Sequence, residues 1–207
     1  MSVNRDDIVA VGGDLRPETL LGAYRQGVFP WPIDGLPMLW FCPRERAILE
    51  HHRLHVGASL RRARRRTTLR LTIDADFPAV IRACATMPRP GPPGTWITPD
   101  VLTAYTRLSR LGVAHSVEAW RADRLVAGLY GVDVDGAFAA ESMFHRESDA
   151  AKLVLLHLAD HLHAHGVDWI DVQVLSPHLV RLGARAIPRA EFLALLAATR
   201  GRFCRPW

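Results

Sequence analysis

The chain has 207 residues, a formal net charge of +5, a pI near 9.7 and 49% hydrophobic residues. This length allows a substantial core in one domain, or in one domain with a small companion. No apolar run approaches the roughly 20 residues of a membrane span, and the first residues lack the apolar segment of an export signal. Cys42, Cys84 and Cys204 lie far apart without a CxxC pair, which excludes a disulfide framework and favours a reducing cytosol.

An arginine cluster between residues 61 and 70 is the strongest charge feature of the chain. Like charges at this density repel each other unless anions lie nearby, so the cluster indicates a phosphate-binding surface. The alternative is a solvated helix face in an arginine-rich composition. The cluster's candidate residues for contacts with a nucleic-acid backbone are Arg61, Arg62, Arg64, Arg65 and Arg66.

The N-terminal part predicts one helix followed by an irregular aromatic segment. Pro17 suits the first position of a helix, and Gly27 ends it. From there to about Pro43, prolines and large aromatic residues crowd together in pieces too short for long elements. We therefore expect a small N-terminal lobe over residues 1–50 and a larger domain over residues 51–207.

The larger domain alternates strands with helices. Its predicted strands cover residues 69–73, 115–120, 125–132, 137–142 and 167–175, and its main helices begin after Asp76, Thr98, Ser148 or Asp149, and Ser176. A three-stranded meander, a helix and a strand that returns to the same sheet follow the order of the GNAT-like acyltransferase core. We expect an α+β fold of that kind, with a mixed sheet flanked by helices. The pyrophosphate-binding loop of acyl-CoA enzymes is missing, so the donor is expected to differ.

The strand at residues 167–175 carries two polar side chains on a face that is otherwise apolar. Alternation places Asp171 and Gln173 on the same face, between Trp169 and Leu175. Unpaired polar groups there would cost a few kcal/mol if desolvated, so they require a reason. One explanation is a buried aspartate held by an arginine. The other is a site that binds an ammonium group and handles its proton.

Two further features are candidate binding groups. His157, His161 and His165 recur every fourth residue and could gather a metal, but no carboxylate is placed to complete the set, which favours a polar helix face. Lys152 is the only lysine in the chain. Its position hints at a need for a compact ammonium group, although chance explains it almost as well.

Three sequence blocks resemble the leucyl/phenylalanyl-tRNA–protein transferases, and the resemblance covers almost the whole chain. The blocks are Gly12–Leu15 with Tyr24 and Gly27–Trp31, then Gly94–Thr98, then Glu141–Phe144 with Ile170–Leu175. The resemblance implies a small N-terminal lobe, a GNAT-like C-terminal domain and no cofactor or metal. It also implies a cytoplasmic enzyme, expected to be a monomer, that moves leucine, or less well phenylalanine or methionine, from aminoacyl-tRNA. Its acceptors would be proteins with an N-terminal arginine or lysine, which become marked for degradation.

The same resemblance assigns individual residues by their positions in these motifs. Asp171 and Gln173 correspond to residues proposed to act on the attacking amine, and Glu141 belongs to the same site. The aminoacyl-adenosine site is implied to contain the aromatic residues Tyr24, Trp31 and Trp96, the apolar residues Leu129, Phe138, Leu155, Leu158 and Ile170, and Ser176.

The chemistry leaves two accounts of the proton. Asp171, oriented by Gln173, could take the proton of the attacking amine, or the ribose hydroxyl could do so while Asp171 only positions the amine.

Two other function classes compete with aminoacyl transfer. One is a small-molecule N-acetyltransferase on the same fold, and the other is a non-catalytic RNA-binding module.

Overall fold

The computed structural model describes residues 5–88, 95–202 and 206–207. The strands are β1 (Ile8–Val11), β2 (Phe29–Pro30), β3 (Leu39–Phe41), β4 (Glu45–Glu50), β5 (Arg70–Ile73), β6 (Ala114–Arg121), β7 (Arg124–Val134), β8 (Ala137–His145), β9 (Trp169–Gln173) and β10 (Arg185–Pro188). The helices are α1 (Pro17–Tyr24), α2 (Ala58–Arg66), α3 (Phe77–Thr86), α4 (Pro99–Arg110), α5 (Ala150–Ala164), α6 (Pro177–Arg181) and α7 (Arg189–Arg200). Of the sequence features discussed above, Gly94 and Cys204 lie outside the described residues.

Three helices begin where their capping residues predict. The side chains of Asp76, Thr98 and Ser176 each accept a hydrogen bond from a backbone N–H in the first turn of α3, α4 and α6. Helix α5 begins differently. Its N-cap residue Asp149 adopts φ 61° and makes no side-chain cap, because its carboxylate pairs with Lys152 at 2.6 Å.

The strands form two sheets, and the larger one is mixed. A three-stranded sheet has the order β1-β3-β2, and a seven-stranded sheet has the order β10-β4-β9-β8-β7-β6-β5. Strands β6, β7 and β8 form the predicted antiparallel meander, while β8 and β9 run parallel. The α+β class with a mixed sheet is therefore confirmed. Its assignment as GNAT-like stays a prediction.

The parallel pair β8 and β9 is bonded over a short length. Its register joins Phe138 with Ile170 and Ala139 with Asp171. Beyond these pairs each strand continues with a polar residue, Glu141 on β8 and Gln173 on β9. An opening in the sheet therefore begins where the candidate site residues lie.

The sequence pattern does not predict β4 or β10, which pair with each other at one edge of the large sheet. Strand β4 also pairs with β9, so it belongs to the large sheet. The chain therefore passes from the small sheet to the large one between Phe41 and Glu45, and not at residue 50. The three-stranded sheet shares one hydrophobic cluster with α3, α4 and α7, while α2 and α5 contribute to a second cluster. The division of the chain into two domains at residue 50 stays a prediction.

Adjacent residues of β7 connect the large sheet to both clusters. Leu129 belongs to the cluster that contains α5, and Tyr130 belongs to the cluster that contains the three-stranded sheet, as strand alternation requires. In the described part of the chain, no helix is both long and apolar enough to cross a bilayer.

Candidate active site

Asp171 is held in a buried ion pair. Arg46 on β4 donates from Nε to Oδ1 at 2.8 Å and from Nη2 to Oδ2 at 2.6 Å, and the two side chains are 1% and 6% exposed. The guanidinium also lies 4.6 Å from the ring centroids of Phe29 and Phe192. The structure therefore corrects the expectation that Asp171 offers a free carboxylate to an amine. It shows the arginine-held aspartate that the sequence left open.

Gln173 links this ion pair to a second carboxyl group. Its backbone N–H donates to Asp171 Oδ1 at 2.9 Å, and its side-chain Nε2 donates to Glu141 Oε1 at 2.8 Å. The residue adopts φ 60°, a left-handed conformation that is uncommon outside glycine. Asp171 therefore holds the backbone of Gln173 in place. Asp171, Gln173 and Glu141, which the sequence places in one site, are neighbours in the structure.

Glu141 receives a second donor from a pair of tyrosines. The hydroxyl of Tyr24 donates to Glu141 Oε1 at 2.6 Å and also bonds the hydroxyl of Tyr105 on α4. Tyr24 is only 2% exposed, so its ring offers no open face to an adenine, and the structure instead places its hydroxyl on the carboxyl group. Since both described donors reach Oε1, Glu141 keeps Oε2 for other partners.

The surroundings of Glu141 change its acidity. Burial of the carboxyl group raises its pKa to about 8, and the negative charge of Asp171 adds to this effect, while the hydrogen bond from Tyr24 opposes it. Burial also raises the pKa values of Tyr24 and Tyr105 well above the usual 10, so both hydroxyls remain donors at neutral pH. Glu141 is thus a carboxyl group that can exchange a proton near physiological pH.

A small cavity opens beside Glu141 between β8, β9, α5 and α6. Its volume is about 140 Å³, and it is lined by Leu129, Ala140, Glu141, Ser142, Met143, Leu155, Val172 and Leu179. Leu129 and Leu155, both expected in the hydrophobic pocket, do line it. Apart from Glu141 and Ser142 the side chains are apolar, so this aliphatic cavity suits an uncharged hydrocarbon group.

The remaining expected pocket residues do not line this cavity. Phe138, Leu158 and Ile170 are at most 2% exposed and belong to the same hydrophobic cluster as Leu129 and Leu155. Ser176 caps α6 by accepting a hydrogen bond from Leu179 N–H at 3.2 Å. Three of these residues therefore belong to the core, and Ser176 fixes the start of α6, the helix that carries Leu179.

Trp31 and Trp96 form a partly exposed aromatic pair. Their ring centroids are 5.9 Å apart and their planes differ by 23°, and Trp96 also contacts Tyr105 edge-on at 6.3 Å. Because Tyr105 bonds Tyr24, which bonds Glu141, the aromatic pair connects to the carboxyl group through two tyrosines. Stacked, accessible rings of this kind can hold an unpaired base.

The arginine cluster lies on helix α2, whose only buried residue is Leu60. Two of its arginines have protein partners: Arg61 donates to the carbonyl of Val56 at 2.5 Å, and Arg64 pairs with Asp160 on α5. The other three are exposed and bond to none of the described residues. They are Arg62, Arg65 and Arg66, and their spacing of three and four places them on one helix face.

His161, His165 and Lys152, the other candidate binding groups of the sequence, each have a partner among the described residues. His161 bonds the carbonyl of Pro206 at 2.6 Å, His165 bonds the carbonyl of His161 at 2.8 Å, and Lys152 pairs with Asp149. Within residues 5–88, 95–202 and 206–207, no three His, Cys, Asp or Glu side chains are grouped so as to hold a metal ion. Cys42 and Cys84 are buried, and no disulfide joins them to each other.

Sequence reasoning missed Arg46, Tyr105, Met143, Val172 and Leu179. Met143 lies two residues after Glu141, but a β-bulge between Ala140 and Ser142 interrupts the alternation of β8, so the strand period gives no signal for it. Arg46 and Tyr105 had none, since their contacts with the site depend on tertiary packing between distant segments.

Comparison with known proteins supplies the family. The family model described as leucyl/phenylalanyl-tRNA protein transferase matches residues 48–197, and the model of the N-terminal domain of the same family matches residues 13–44. A leucyl/phenylalanyl-tRNA–protein transferase of Anaeromyxobacter sp. (strain K) is 52% identical over 192 residues, which cover 93% of this chain and 82% of that protein.

Other relatives of the same name agree. The protein of Syntrophobacter fumaroxidans is 50% identical over 93% of this chain and 82% of its own length, and that of Nitratidesulfovibrio vulgaris (strain DP4) is 48% identical over 92% and 82%. Since both family models match in order and these relatives share about half of their residues with it, this chain belongs to the leucyl/phenylalanyl-tRNA–protein transferase family of enzymes.

Proposed function

We propose that the protein transfers leucine, and less well phenylalanine or methionine, from aminoacyl-tRNA to the N-terminal arginine or lysine of acceptor proteins. The new N-terminal residue marks the acceptor for degradation, and the enzyme acts in the cytoplasm as a monomer with a GNAT-like C-terminal domain. The observation that carries this proposal is the Glu141 carboxyl group, with its pKa raised to about 8, at the wall of an apolar cavity.

The donor's side chain fits the aliphatic cavity. Leucine, phenylalanine and methionine side chains carry no charge, and the cavity offers them Leu129, Leu155 and Leu179. Selection among them must therefore rest on volume and apolar contact, which distinguish by only about 1 to 3 kcal/mol per methylene. The enzyme is therefore expected to prefer one of these amino acids and to accept the others at lower rates.

The donor's terminal adenosine would lie against Trp31 and Trp96. Both rings are partly exposed, and an aromatic surface holds a base through stacking regardless of sequence. Arg62, Arg65 and Arg66 would contact phosphates of the acceptor stem by charge. The RNA is thus held at its single-stranded end and by its backbone.

Glu141 is the proton acceptor in this account. The acceptor's α-amino group attacks the ester carbonyl carbon, and its proton passes to Glu141. Glu141 then returns that proton to the ribose oxygen as the carbon–oxygen bond breaks, so the products are a peptide bond and a free ribose hydroxyl. An α-ammonium group has a pKa of about 7.7 to 8.0, close to that of Glu141, so the neutral amine and the ionised carboxyl group become available over the same pH range.

Gln173 and Asp171 position this carboxyl group. Gln173 donates to Glu141, and the backbone of Gln173 is held by Asp171, which Arg46 neutralises. Glu141 is therefore the carboxyl group left to face a basic N-terminus, where a charge-assisted hydrogen bond favours a cationic acceptor.

A transfer assay tests the proposed function. The protein is mixed with tRNA charged with labelled leucine and with a peptide that begins with arginine, and labelled leucine is expected at its N-terminus. Matched peptides that begin with acetylated arginine or with aspartate are expected to gain none. Labelling of the acetylated peptide, or none of the arginine peptide, would contradict the proposal.

A further inference from the structure

A second, larger cavity lies beside the aliphatic cavity and has no role in the function proposed so far. Its volume is about 410 Å³. The side chains that matter for its chemistry are Met143, His145, Asp149, Lys152, His178 and Arg181. We call it the basic cavity.

The basic cavity carries an excess of positive charge. Asp149 is paired with Lys152 at 2.6 Å, which leaves Arg181 and two histidines without a carboxylate among the lining residues. The pKa of His178 is lowered, first by burial and then by the positive charges of Lys152 and Arg181. The positive charges that contribute to this shift are the ones that line the cavity, and their excess over the single carboxylate favours an anion.

The same three elements wall both cavities. Met143 on β8 lines both, Leu155 and Lys152 lie one turn apart on α5, and Leu179 and Arg181 lie on α6. On β8 Met143 lies two residues after Glu141, across a β-bulge in the strand, and it lines the wall that the two cavities share. An anion in the basic cavity is thus close to a reaction centre at Glu141.

We propose that the basic cavity binds the phosphodiester group that joins the terminal adenosine of the donor tRNA to the preceding nucleotide. This inference rests on the proposed function, since that function places the ester beside Glu141. The phosphodiester is one nucleoside away from the ester and carries a full negative charge. An acceptor with a basic N-terminus would be repelled by Lys152 and Arg181. This proposal also gives Lys152, the only lysine of the chain, a role, because an ammonium group binds phosphate as a point charge.

Binding of uncharged ligands, which carry no amino acid, tests the cavity directly. Adenosine is compared with the dinucleotide CpA, which adds the phosphodiester, by titration calorimetry on the full chain. We expect CpA to bind about tenfold more tightly than adenosine, and Lys152→Gln or Arg181→Gln to remove most of this difference. Arg110→Gln on α4 also removes an exposed arginine, but away from this cavity, and should leave both affinities unchanged.

Asp149→Asn supplies a variant with the opposite sign. It removes the negative charge paired with Lys152, and asparagine tolerates the left-handed conformation of residue 149. CpA should bind more tightly to this variant than to the wild type, while adenosine binding stays the same. A protein that is merely damaged by substitution would not bind more tightly.

The outcomes separate this inference from the proposed function. Equal affinities for CpA and adenosine, or CpA binding that ignores Lys152→Gln, overturn the inference even if leucine is transferred. Binding of coenzyme A that is tighter than CpA and abolished in Lys152→Gln also overturns it, by assigning the cavity to another phosphate. Lys152-dependent CpA binding without leucine transfer supports the cavity's ligand and overturns the proposed reaction.

Discussion

Two carboxyl groups, the buried Asp171 and the half-buried Glu141, have different tasks at the scale of single residues. Asp171 is bonded through both of its oxygens to Arg46, and its part in the site is to hold the backbone of Gln173. Glu141 has a raised pKa, donors at one oxygen and a cavity beside it. A carboxylate whose charge is neutralised by a neighbouring arginine suits a structural task. A carboxyl group whose pKa lies near the ambient pH suits proton transfer.

Asp171→Asn tests the structural task. It leaves the Arg46 guanidinium buried without its partner charge, so the free energy of unfolding in urea should fall by about 3 to 5 kcal/mol. The double variant Arg46→Met with Asp171→Leu removes both charges and should recover much of that stability. A single variant as stable as the wild type would show that the ion pair does not hold the sheet together.

Tyr24→Phe tests the hydrogen bond to Glu141. The hydroxyl of Tyr24 lowers the pKa of Glu141, so its removal should raise that pKa further. A carboxyl group that must be deprotonated to act then needs a higher pH, and the pH profile of leucine transfer should move upwards. Tyr105→Phe, which changes the outer tyrosine, should move the profile less. A shift towards lower pH in Tyr24→Phe would contradict this arrangement.

At the scale of elements, the last residue of strand β9 has a backbone conformation that costs stability and serves the candidate site. Gln173 closes the strand at φ 60°, a conformation that costs a non-glycine residue of the order of 1 to 3 kcal/mol. In return its side chain reaches Glu141 and its N–H reaches Asp171. Backbone strain at this position is therefore associated with the candidate site.

Gln173→Gly tests this association. Glycine relieves the left-handed conformation, so the melting temperature should stay level or rise. The same change removes the donor to Glu141, so kcat for leucine transfer should fall at least about tenfold. A variant that loses stability while keeping its activity would contradict the assignment.

Helix α2 offers a matched pair of arginine sets. Arg62, Arg65 and Arg66 share an exposed face, whereas Arg61 and Arg64 are bonded to Val56 and Asp160. Changing the first set to glutamine should reduce the slope of log affinity against log salt for tRNA by about 0.7 to 0.9 for each phosphate that the protein no longer neutralises. Changing the second set should reduce it less. Equal reductions would contradict the division of the helix into two faces.

Local sequence signals predict the elements well where one residue sets a boundary. Asp76 and Thr98 cap their helices as expected, and the turns between β6, β7 and β8 lie where the sequence places them. The motif likeness also brings Glu141 and Gln173 together correctly. The partner of Asp171 is a different matter, because Arg46 lies 125 residues away on a strand that no local pattern reveals. Whether a buried carboxylate is held in an ion pair therefore depends on residues distant in the sequence, which local patterns do not reveal.

At the scale of the whole molecule, the opening between two parallel strands organises everything else. The aliphatic cavity and the basic cavity share β8, α5 and α6, while helices α1 and α4 bring Tyr24 and Tyr105 to Glu141. The N-terminal segment shares a hydrophobic cluster with α3, α4 and α7, so it is held against the same sheet. A reaction centre between these parts needs all of them folded together.

The pH dependence of leucine transfer by the wild type and by Glu141→Gln tests the central claim most directly. Rates of single-turnover transfer from leucyl-tRNA to an arginine peptide are measured between about pH 6 and 9. Both Glu141 and the acceptor's amino group must be deprotonated, so the wild-type log rate should rise with a slope of about two at low pH and level off above about 8. Glu141→Gln should be slower by about 10²- to 10⁴-fold, with a slope of about one from the amine alone. A Glu141→Gln variant that keeps the wild-type rate and slope would contradict the account.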